Sequence, residues 1–291
     1  MEDKKRRNTK FYRAVLAGDA AQVTTLLRAG ANPNEPGRFG EPPLVDAALR
    51  GSIDCMRALI DAGADLHAVD RADRTLLHLA AWRGGIASVH YLLGLGLDVN
   101  ARDNVRQTPL HYAAAHYSPT VPAATVEICA VLLEAGADIH ARSDDATTPL
   151  MVAAASMRIE ALRFLAEHGA DVNARANDGK TALMSVARLG HRPEIAELLL
   201  TLGADVNAQD NQGRTALMHA MHQARGDVLH ILLKAGADID VRNHDGKTAL
   251  DLIQEYADRF QQDHSKTIAI LTHADEKHIA QNRVERSIIT P

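Results

Sequence analysis

A glycine-containing tripeptide recurs at a nearly constant spacing along most of this 291-residue chain. The tripeptide is Gly-Ala-Asp or a close variant, and successive copies are 33, 33, 40, 33, 34 and 33 residues apart. The copies begin at Gly30, Gly63, Gly96, Gly136, Gly169, Gly203 and Gly236. Such a period is typical of repeat architectures, in which each unit buries its apolar face against its neighbours. The chain is therefore predicted to fold as one array of stacked units rather than as two globular domains.

A second pattern, Thr-Pro-Leu or a close variant, runs in phase with the first. Its copies begin at Pro42, Thr75, Thr108, Thr148, Thr181, Thr215 and Thr248. A threonine can cap the first free N–H groups of a helix, and a proline after it has no N–H to leave unsatisfied. The pattern predicts the start of a first helix in each unit. A second, amphipathic helix should end at each marker glycine, and the Asp- and Asn-rich segment after it should form a projecting turn or short hairpin.

The period and the run Thr108-Pro109-Leu110-His111-Tyr112-Ala113 resemble the ankyrin-repeat family, whose 33-residue unit opens with T-P-L-H-x-A. The resemblance covers about residues 10–272. It implies an all-α solenoid of stacked antiparallel helix pairs with projecting β-hairpin or turn fingers. The glycine two positions before the threonine is replaced by Asp73, Arg106 and Ala146 in three units, so those turns are expected to be less regular.

The two ends of the array differ from its middle. Residues 1–9 are predicted to be a basic, polar tail, and residues 10–35 an N-terminal cap without the Thr-Pro-Leu pattern. Full repeats are expected over 36–244 and a C-terminal cap over 245–272. Residues 273–291 fit no unit and are predicted to be a C-terminal tail.

Composition narrows the class of protein. Hydrophobic residues make up 46% of the chain and aromatic residues only 3%, which favours helices packed through small aliphatic side chains. The formal charge of −5 gives no overall attraction to nucleic acid, and no long uncharged run indicates insertion into a membrane. Two cysteines and no apolar leader indicate a reducing, cytoplasmic location. A nuclear address in Lys4–Arg7 and secretion as an effector remain the alternatives.

Cysteines and histidines are the residues of this chain best suited to catalysis or metal binding. Cys55 and Cys129 occupy apolar positions of second helices two repeats apart, on the order of 20 Å or more, so no disulfide is expected. His219, His222 and His230 come closest to a metal cluster but lack the spacing of zinc ligands. No nucleotide-binding or hydrolase motif occurs. The chain is therefore predicted not to be an enzyme and to hold no cofactor or metal.

The residues that the repeat framework leaves variable are the candidates for binding. In the ankyrin family these positions, at the finger tips and the outer ends of the first helices, line a concave groove. In the first three full units they hold five arginines and one glutamate, whereas those in the last four carry a net charge of −1. The only tryptophan also falls in the basic half. The predicted partner-binding residues are Arg38, Phe39, Arg50, Arg71, Arg74, Trp82, Arg83, Gln107, His116 and Tyr117.

An insertion of seven residues in the fourth unit, around 116–122, contains two prolines and either is neutral or extends this patch as a lip. The sequence therefore predicts a non-catalytic module, monomeric alone, that binds an acidic and apolar protein partner. Two alternatives remain open. One is a specific inhibitor or regulator of a partner enzyme or toxin, and the other is a secreted bacterial effector acting on a host protein.

Overall fold

The computed structural model describes residues 2–37, 40–116, 123–190, 192–222, 226–260, 265 and 267–274. These residues form consecutive pairs of short helices, and their only strand-like feature is one antiparallel bridge between Val69 and Thr75. A 3-10 turn (Ala220–His222) follows the thirteenth helix, and residues 267–274 are also helical. The helices are α1 (Glu2–Ala17), α2 (Ala20–Arg28), α3 (Pro43–Arg50), α4 (Ile53–Asp61), α5 (Leu76–Arg83), α6 (Ile86–Gly94), α7 (Pro109–Ala115), α8 (Ala123–Glu134), α9 (Pro149–Ala155), α10 (Ile159–Glu167), α11 (Ala182–Leu189), α12 (Pro193–Thr201), α13 (Ala216–His219), α14 (Gly226–Lys234) and α15 (Ala249–Phe260).

The repeated threonines cap the first helices, as the sequence predicts. Thr148, Thr181 and Thr215 each accept a hydrogen bond from the N–H three residues on. Thr75 and Thr108 instead form capping boxes with the histidine three residues on. Each of these five helices therefore begins at the residue after its threonine.

The marker glycines end the second helices. All seven have φ between 79° and 95°, a left-handed conformation that costs glycine nothing. After α4, for example, the N–H of Ala64 reaches back to the Leu59 carbonyl and the N–H of Gly63 to the Ile60 carbonyl, both at 2.9 Å. This pair of hydrogen bonds closes the last turn and fixes where the chain leaves the helix.

The chain divides into two compact units. The first comprises residues 1–144 and 160–170, and the second comprises residues 145–159 and 171–291. In the first unit α3 packs on α5 and α5 on α7; in the second, α9 packs on α11 and α11 on α13. The leucines of the Thr-Pro-Leu pattern form the centre of each core and are fully buried: Leu44, Leu77 and Leu110 in the first unit, Leu150, Leu183 and Leu217 in the second.

The ends of the chain differ in part from expectation. The helix α1 already begins at Glu2, inside the segment expected to be a tail, because Glu, Lys and Arg are good helix formers. Residues 275–291 of the expected C-terminal tail lie outside the described residues. The other boundaries and the single-array organisation remain predictions.

The finger turns are regular even where the glycine is missing, which corrects the expectation from the sequence. Asp73, Arg106 and Ala146 all take φ values of 58–61°, close to those of the glycines at the same position. Neighbouring fingers in the first unit are linked by main-chain bonds, from Asn104 N–H to the Ala72 carbonyl and from Asp144 N–H to the Val105 carbonyl, each 3.0 Å. These links hold the turn in the left-handed conformation despite the side chain.

A recurring asparagine joins four of the fingers to the next repeat. Asn34 donates to the Gly63 carbonyl at 2.9 Å and accepts from the Asp65 N–H at 2.8 Å. Asn100 makes the same pair of bonds with Gly136 and Asp138. In the second unit Asn173 and Asn207 do the same. Because one amide supplies a donor and an acceptor side by side, each asparagine satisfies two main-chain groups of its neighbour.

His67 and His140 occupy this asparagine position, and His67→Asn is expected to stabilise the protein by about 1 kcal/mol. The new amide would reach the Gly96 carbonyl and the Asp98 N–H, the groups equivalent to those that Asn34 contacts. Thermal unfolding followed by circular dichroism measures the change. The reverse substitution, Asn34→His, should destabilise by a similar amount. An unchanged or lowered midpoint for His67→Asn would show that the bridge adds nothing.

Candidate protein-binding surface

Three of the predicted binding residues lie together on the surface of the first unit. Arg50 and Arg83 are the last residues of α3 and α5, two helices that pack side by side, and both side chains are exposed. Trp82, beside Arg83, is 46% exposed. We call these three residues the Trp82 surface. The indole therefore does not serve to fill the core.

The charges of the Trp82 surface are only weakly compensated. Arg83 forms no salt bridge with any described side chain. Arg50 follows the half-buried Asp46 by one helical turn; burial raises the pKa of that carboxyl, and the charge of Arg50 opposes the rise. The surface therefore presents net positive charge next to a large aromatic ring.

Arg71 lies at the other end of α5, on the finger. The helix has eight residues, which separates the finger from the Trp82 surface by about 12 Å. The side chain of Arg71 is 74% exposed, and its Nε lies 3.5 Å from a carboxylate oxygen of Glu41. An ion pair this exposed contributes little to stability and leaves Arg71 accessible to a partner.

Arg74 takes part in an internal network through its side chain, and Gln107 takes part in it through its main chain. The guanidinium of Arg74 contacts Asp70 Oδ2 at 2.5 and 2.6 Å and stacks 5.9 Å above the ring of Tyr112. Tyr112 in turn donates to Asp103 Oδ2 at 2.7 Å. The N–H of Gln107 donates to Asp103 Oδ1 at 2.8 Å. Both residues are half-buried, and the contact of Arg74 with Tyr112, which is bonded to Asp103, links two successive repeats.

The two aspartates, Asp70 and Asp103, were not among the functional residues predicted from the sequence. Burial alone would raise the pKa of Asp70, but the hydrogen bonds from Arg74 and from the N–H groups of Arg74 and Ala72 outweigh it and lower the pKa. Asp103 makes the corresponding turn bonds to the N–H groups of Val105 and Gln107. The available signal is a polar residue five positions before the threonine, found as Asp70, Asp103, Ser143, Asp210 and Asn243.

His116 is buried, although it was predicted to contact the partner. It is 7% exposed, and its Nδ1 lies 2.8 Å from the main-chain carbonyl oxygen of Trp82. The helix α7 ends at Ala115, so His116 leaves the helix and its ring turns back toward α5. It lies behind the Trp82 surface rather than on it.

Three further predicted residues, Arg38, Phe39 and Tyr117, lie outside the described residues, as does most of the insertion at 116–122. The placement of the predicted set in a concave groove also remains a prediction. A further exposed apolar residue of the first unit is Val105, at a finger tip, which is 45% exposed.

Two of the basic residues at the variable positions of the second unit are paired with acids nearby in the chain. Lys180 lies 2.6 Å from Asp178, and Lys247 is hydrogen-bonded to Glu255. Elsewhere in this unit Asp210 and His219, each 3% exposed, form a buried pair at 2.9 Å. Among the described residues of this unit no large aromatic side chain is exposed, so it lacks the cationic and aromatic combination found around Trp82.

The described residues also bear on thiol reactivity, metal binding, insertion into a membrane and ligand binding in a cavity. Cys55 and Cys129 are free and buried, and burial raises the pKa of Cys129 to about 12, so its thiolate is scarce at neutral pH. Among the described side chains no group of three His, Cys, Asp or Glu could hold a metal ion. Each described helix is too short or too polar to cross a bilayer. A surface cavity of about 590 Å³ between α2 and α4 contains none of the predicted binding residues.

Comparison with known families decides the class of protein. A model of ankyrin repeats in three copies matches residues 11–103, 102–176, 120–210 and 173–243. The chain belongs to the ankyrin-repeat family. The predicted all-α ankyrin-repeat fold is thereby confirmed.

Solved ankyrin-repeat domains are similar in structure to this ankyrin-repeat protein. The human ASB11 ankyrin repeat domain is 28% identical with a TM-score of 0.62, over 72% of this chain and 90% of that one. The ankyrin repeat domain of Bcl-3, a member of the IkappaB protein family, is 29% identical with a TM-score of 0.61, over 75% of this chain and 95% of that one. No curated protein matches the sequence. Ankyrin repeats are generally protein–protein interaction modules, and they bind protein partners.

Proposed function

We propose that this ankyrin-repeat protein binds a protein partner with acidic and apolar groups through the Trp82 surface, with Arg71 as a further contact, and has no chemistry of its own. The proposal includes a cytoplasmic location and a monomeric free chain. The main observation that supports the proposal is that Trp82 is exposed next to Arg83. In a chain with one tryptophan, nearly half of that side chain faces solvent at the edge of an otherwise well-buried helix.

The chemistry of these side chains supports this kind of partner. Tryptophan and arginine often carry interface energy, because the indole brings a large rigid area and the guanidinium makes forked hydrogen bonds to carboxylates. Arg83 has no acid of its own among the described residues, so a partner carboxylate would gain its full attraction. Arg50 adds a second positive charge from the neighbouring repeat.

The test is the double substitution Trp82→Ala with Arg83→Glu. The partner is first captured from native extract with the unsubstituted protein, then purified, and its affinity is measured by calorimetry. Loss of a central aromatic together with a reversed charge is expected to weaken binding about 100-fold. Binding should also weaken as the salt concentration rises, since the attraction involves exposed charges.

A matched control makes the same two kinds of substitution at another part of the surface. Leu95→Ala with Arg28→Glu also removes an exposed apolar side chain and reverses an exposed charge, at the ends of second helices. It should leave the affinity unchanged. If the Trp82 and Arg83 variant binds normally while its helicity is intact, the proposal is wrong. If the partner is an enzyme whose activity falls on addition of the protein, the module is a regulator.

A further inference from the structure

We propose that His116 is a positioning residue for the Trp82 surface, which it holds in place through the main chain of Trp82. The inference rests on the function proposed above and assigns to the buried histidine a role different from direct contact. It concerns how Trp82 and Arg83 are held before a partner arrives.

The last turn of α5 explains why Trp82 needs such a contact. Helix ends leave carbonyl groups without an intrahelical donor. The N–H groups of Gly84 and Gly85 close the turn on the carbonyls of Ala81 and Ala80, at 3.3 and 3.2 Å. The carbonyl of Trp82 accepts from His116 Nδ1 at 2.8 Å instead. A side chain of the next repeat thus caps α5 at the residue that carries the exposed indole.

The main chain of the repeat that contains α7 brings His116 close enough to contact Trp82. The helix α7 has seven residues where α3 and α5 have eight, and His116 takes an extended conformation, with φ −57° and ψ 139°. Its own carbonyl accepts from the hydroxyl of Thr125 at 3.3 Å. The equivalent positions of the two preceding repeats hold Arg50 and Arg83, which stay in their helices and are exposed. The insertion therefore begins at the residue that turns inward.

Close packing restricts the ring on its other side. Gly84 has φ +83°, and a Cβ there would lie 2.3 Å from His116 Nε2. The imidazole therefore lies directly against the main chain that follows Arg83. With the carbonyl before Arg83 hydrogen-bonded and the glycine after it covered, the backbone under both exposed side chains is held on two sides. Such preorganisation reduces the entropy that a partner must remove on binding.

Because Trp82 is the only tryptophan, its fluorescence reports on this surface alone. The probes are iodide, an anionic quencher, and acrylamide, a neutral one, and the ratio of their quenching constants measures the positive charge near the indole. Arg83→Glu is expected to lower this ratio about two- to threefold, given one reversed charge at contact distance and ordinary salt. That result would establish that Arg83 lies beside Trp82 in solution.

His116→Ala is expected to lower the same ratio by about half as much and to raise quenching by acrylamide, because the backbone at Trp82 is released. His116→Asn should restore the unsubstituted values, since the amide Nδ2 occupies the place of Nδ1 and can donate to the same carbonyl. Cys129→Ala serves as the control, because Cys129 is fully buried on α8 and its truncation leaves a cavity that lowers stability.

The outcomes separate the two proposals. If Arg83→Glu changes the ratio but His116→Ala does not, His116 has no positioning role and the proposed binding surface still stands. If Cys129→Ala changes the ratio as much as His116→Ala, general loosening explains the effect and the positioning role is wrong. If His116→Ala acts and His116→Asn rescues, while the Trp82 and Arg83 double variant still binds its partner, the binding proposal alone fails.

Discussion

Gly179→Ala is expected to destabilise the protein by about 3 kcal/mol, which combines the strain of a left-handed alanine with overpacking. Gly179 has φ +81° at a finger turn of the second unit. A Cβ there would lie 2.3 Å from Asn211 Oδ1 and 2.6 Å from Asn211 N. That same N–H donates to the Asp178 carbonyl at 3.0 Å, so the methyl group would break the bond between successive fingers. Urea unfolding followed by circular dichroism measures the loss.

Gly246→Ala is the matched control for this effect. Gly246 has φ +75° at the equivalent position, but no described atom lies within 4 Å of the place that a Cβ would take there. Only strain remains, so the expected loss is about 1 kcal/mol. The reverse change, Ala146→Gly, removes the same strain and should stabilise. Equal losses for Gly179→Ala and Gly246→Ala would show that contact between fingers does not matter.

These turns also show where the sequence is informative about the fold and where it is not. The phase of threonine and glycine predicts the helix starts and stops, since each residue acts on the main chain next to it. The loss of glycine at Asp73, Arg106 and Ala146 suggested irregular turns, and that prediction was wrong. Local preference is there overruled by bonds from the neighbouring finger, such as Asp144 N–H to the Val105 carbonyl, and these bonds depend on the stacking.

The candidate site, too, is only partly predictable from the sequence. The exposure of Arg50, Trp82 and Arg83 follows from their place late in the first helices, which the repeat register predicts. The inward turn of His116 depends on α7 ending one residue early, and the sequence shows only that an insertion lies nearby. The internal role of Arg74 depends on Asp70, whose recurrence is visible in the sequence but whose partner is not.

The unfolding free energy is expected to fall on acidification below about pH 6.5, and His78 is a principal cause. In the folded chain its Nδ1 accepts from the Thr75 N–H at 3.1 Å, while its Nε2 lies 3.0 Å from the Gln107 carbonyl and donates to it. Burial lowers the pKa of His78, with the bond to Gln107 opposing the change. A proton on Nδ1 would displace the Thr75 bond, so the neutral ring is the one that fits.

The direction of the pH effect follows from this lowered pKa. As the pH falls past the ordinary value of 6.5, the unfolded chain takes up a proton that the folded chain refuses, and stability is lost until the pH reaches the folded pKa. One such histidine can remove up to about 1.4 kcal/mol per pH unit. Burial also lowers the pKa of His219, against its partner Asp210, and this adds to the loss in the same direction.

His78→Met separates this contribution from the rest. Methionine occupies the same position in three later repeats, as Met151, Met184 and Met218, so the helix can accept it. At pH 7.5 the variant should be less stable by about 2 kcal/mol, because the Thr75 N–H and the Gln107 carbonyl lose their partner. Between pH 6.5 and 5.5 the difference in unfolding free energy should shrink by about 1 kcal/mol. Only in the unsubstituted protein does unfolding allow His78 to take up a proton. Urea unfolding at the three pH values measures both quantities, and a constant deficit would mean that His78 does not cause the acid sensitivity.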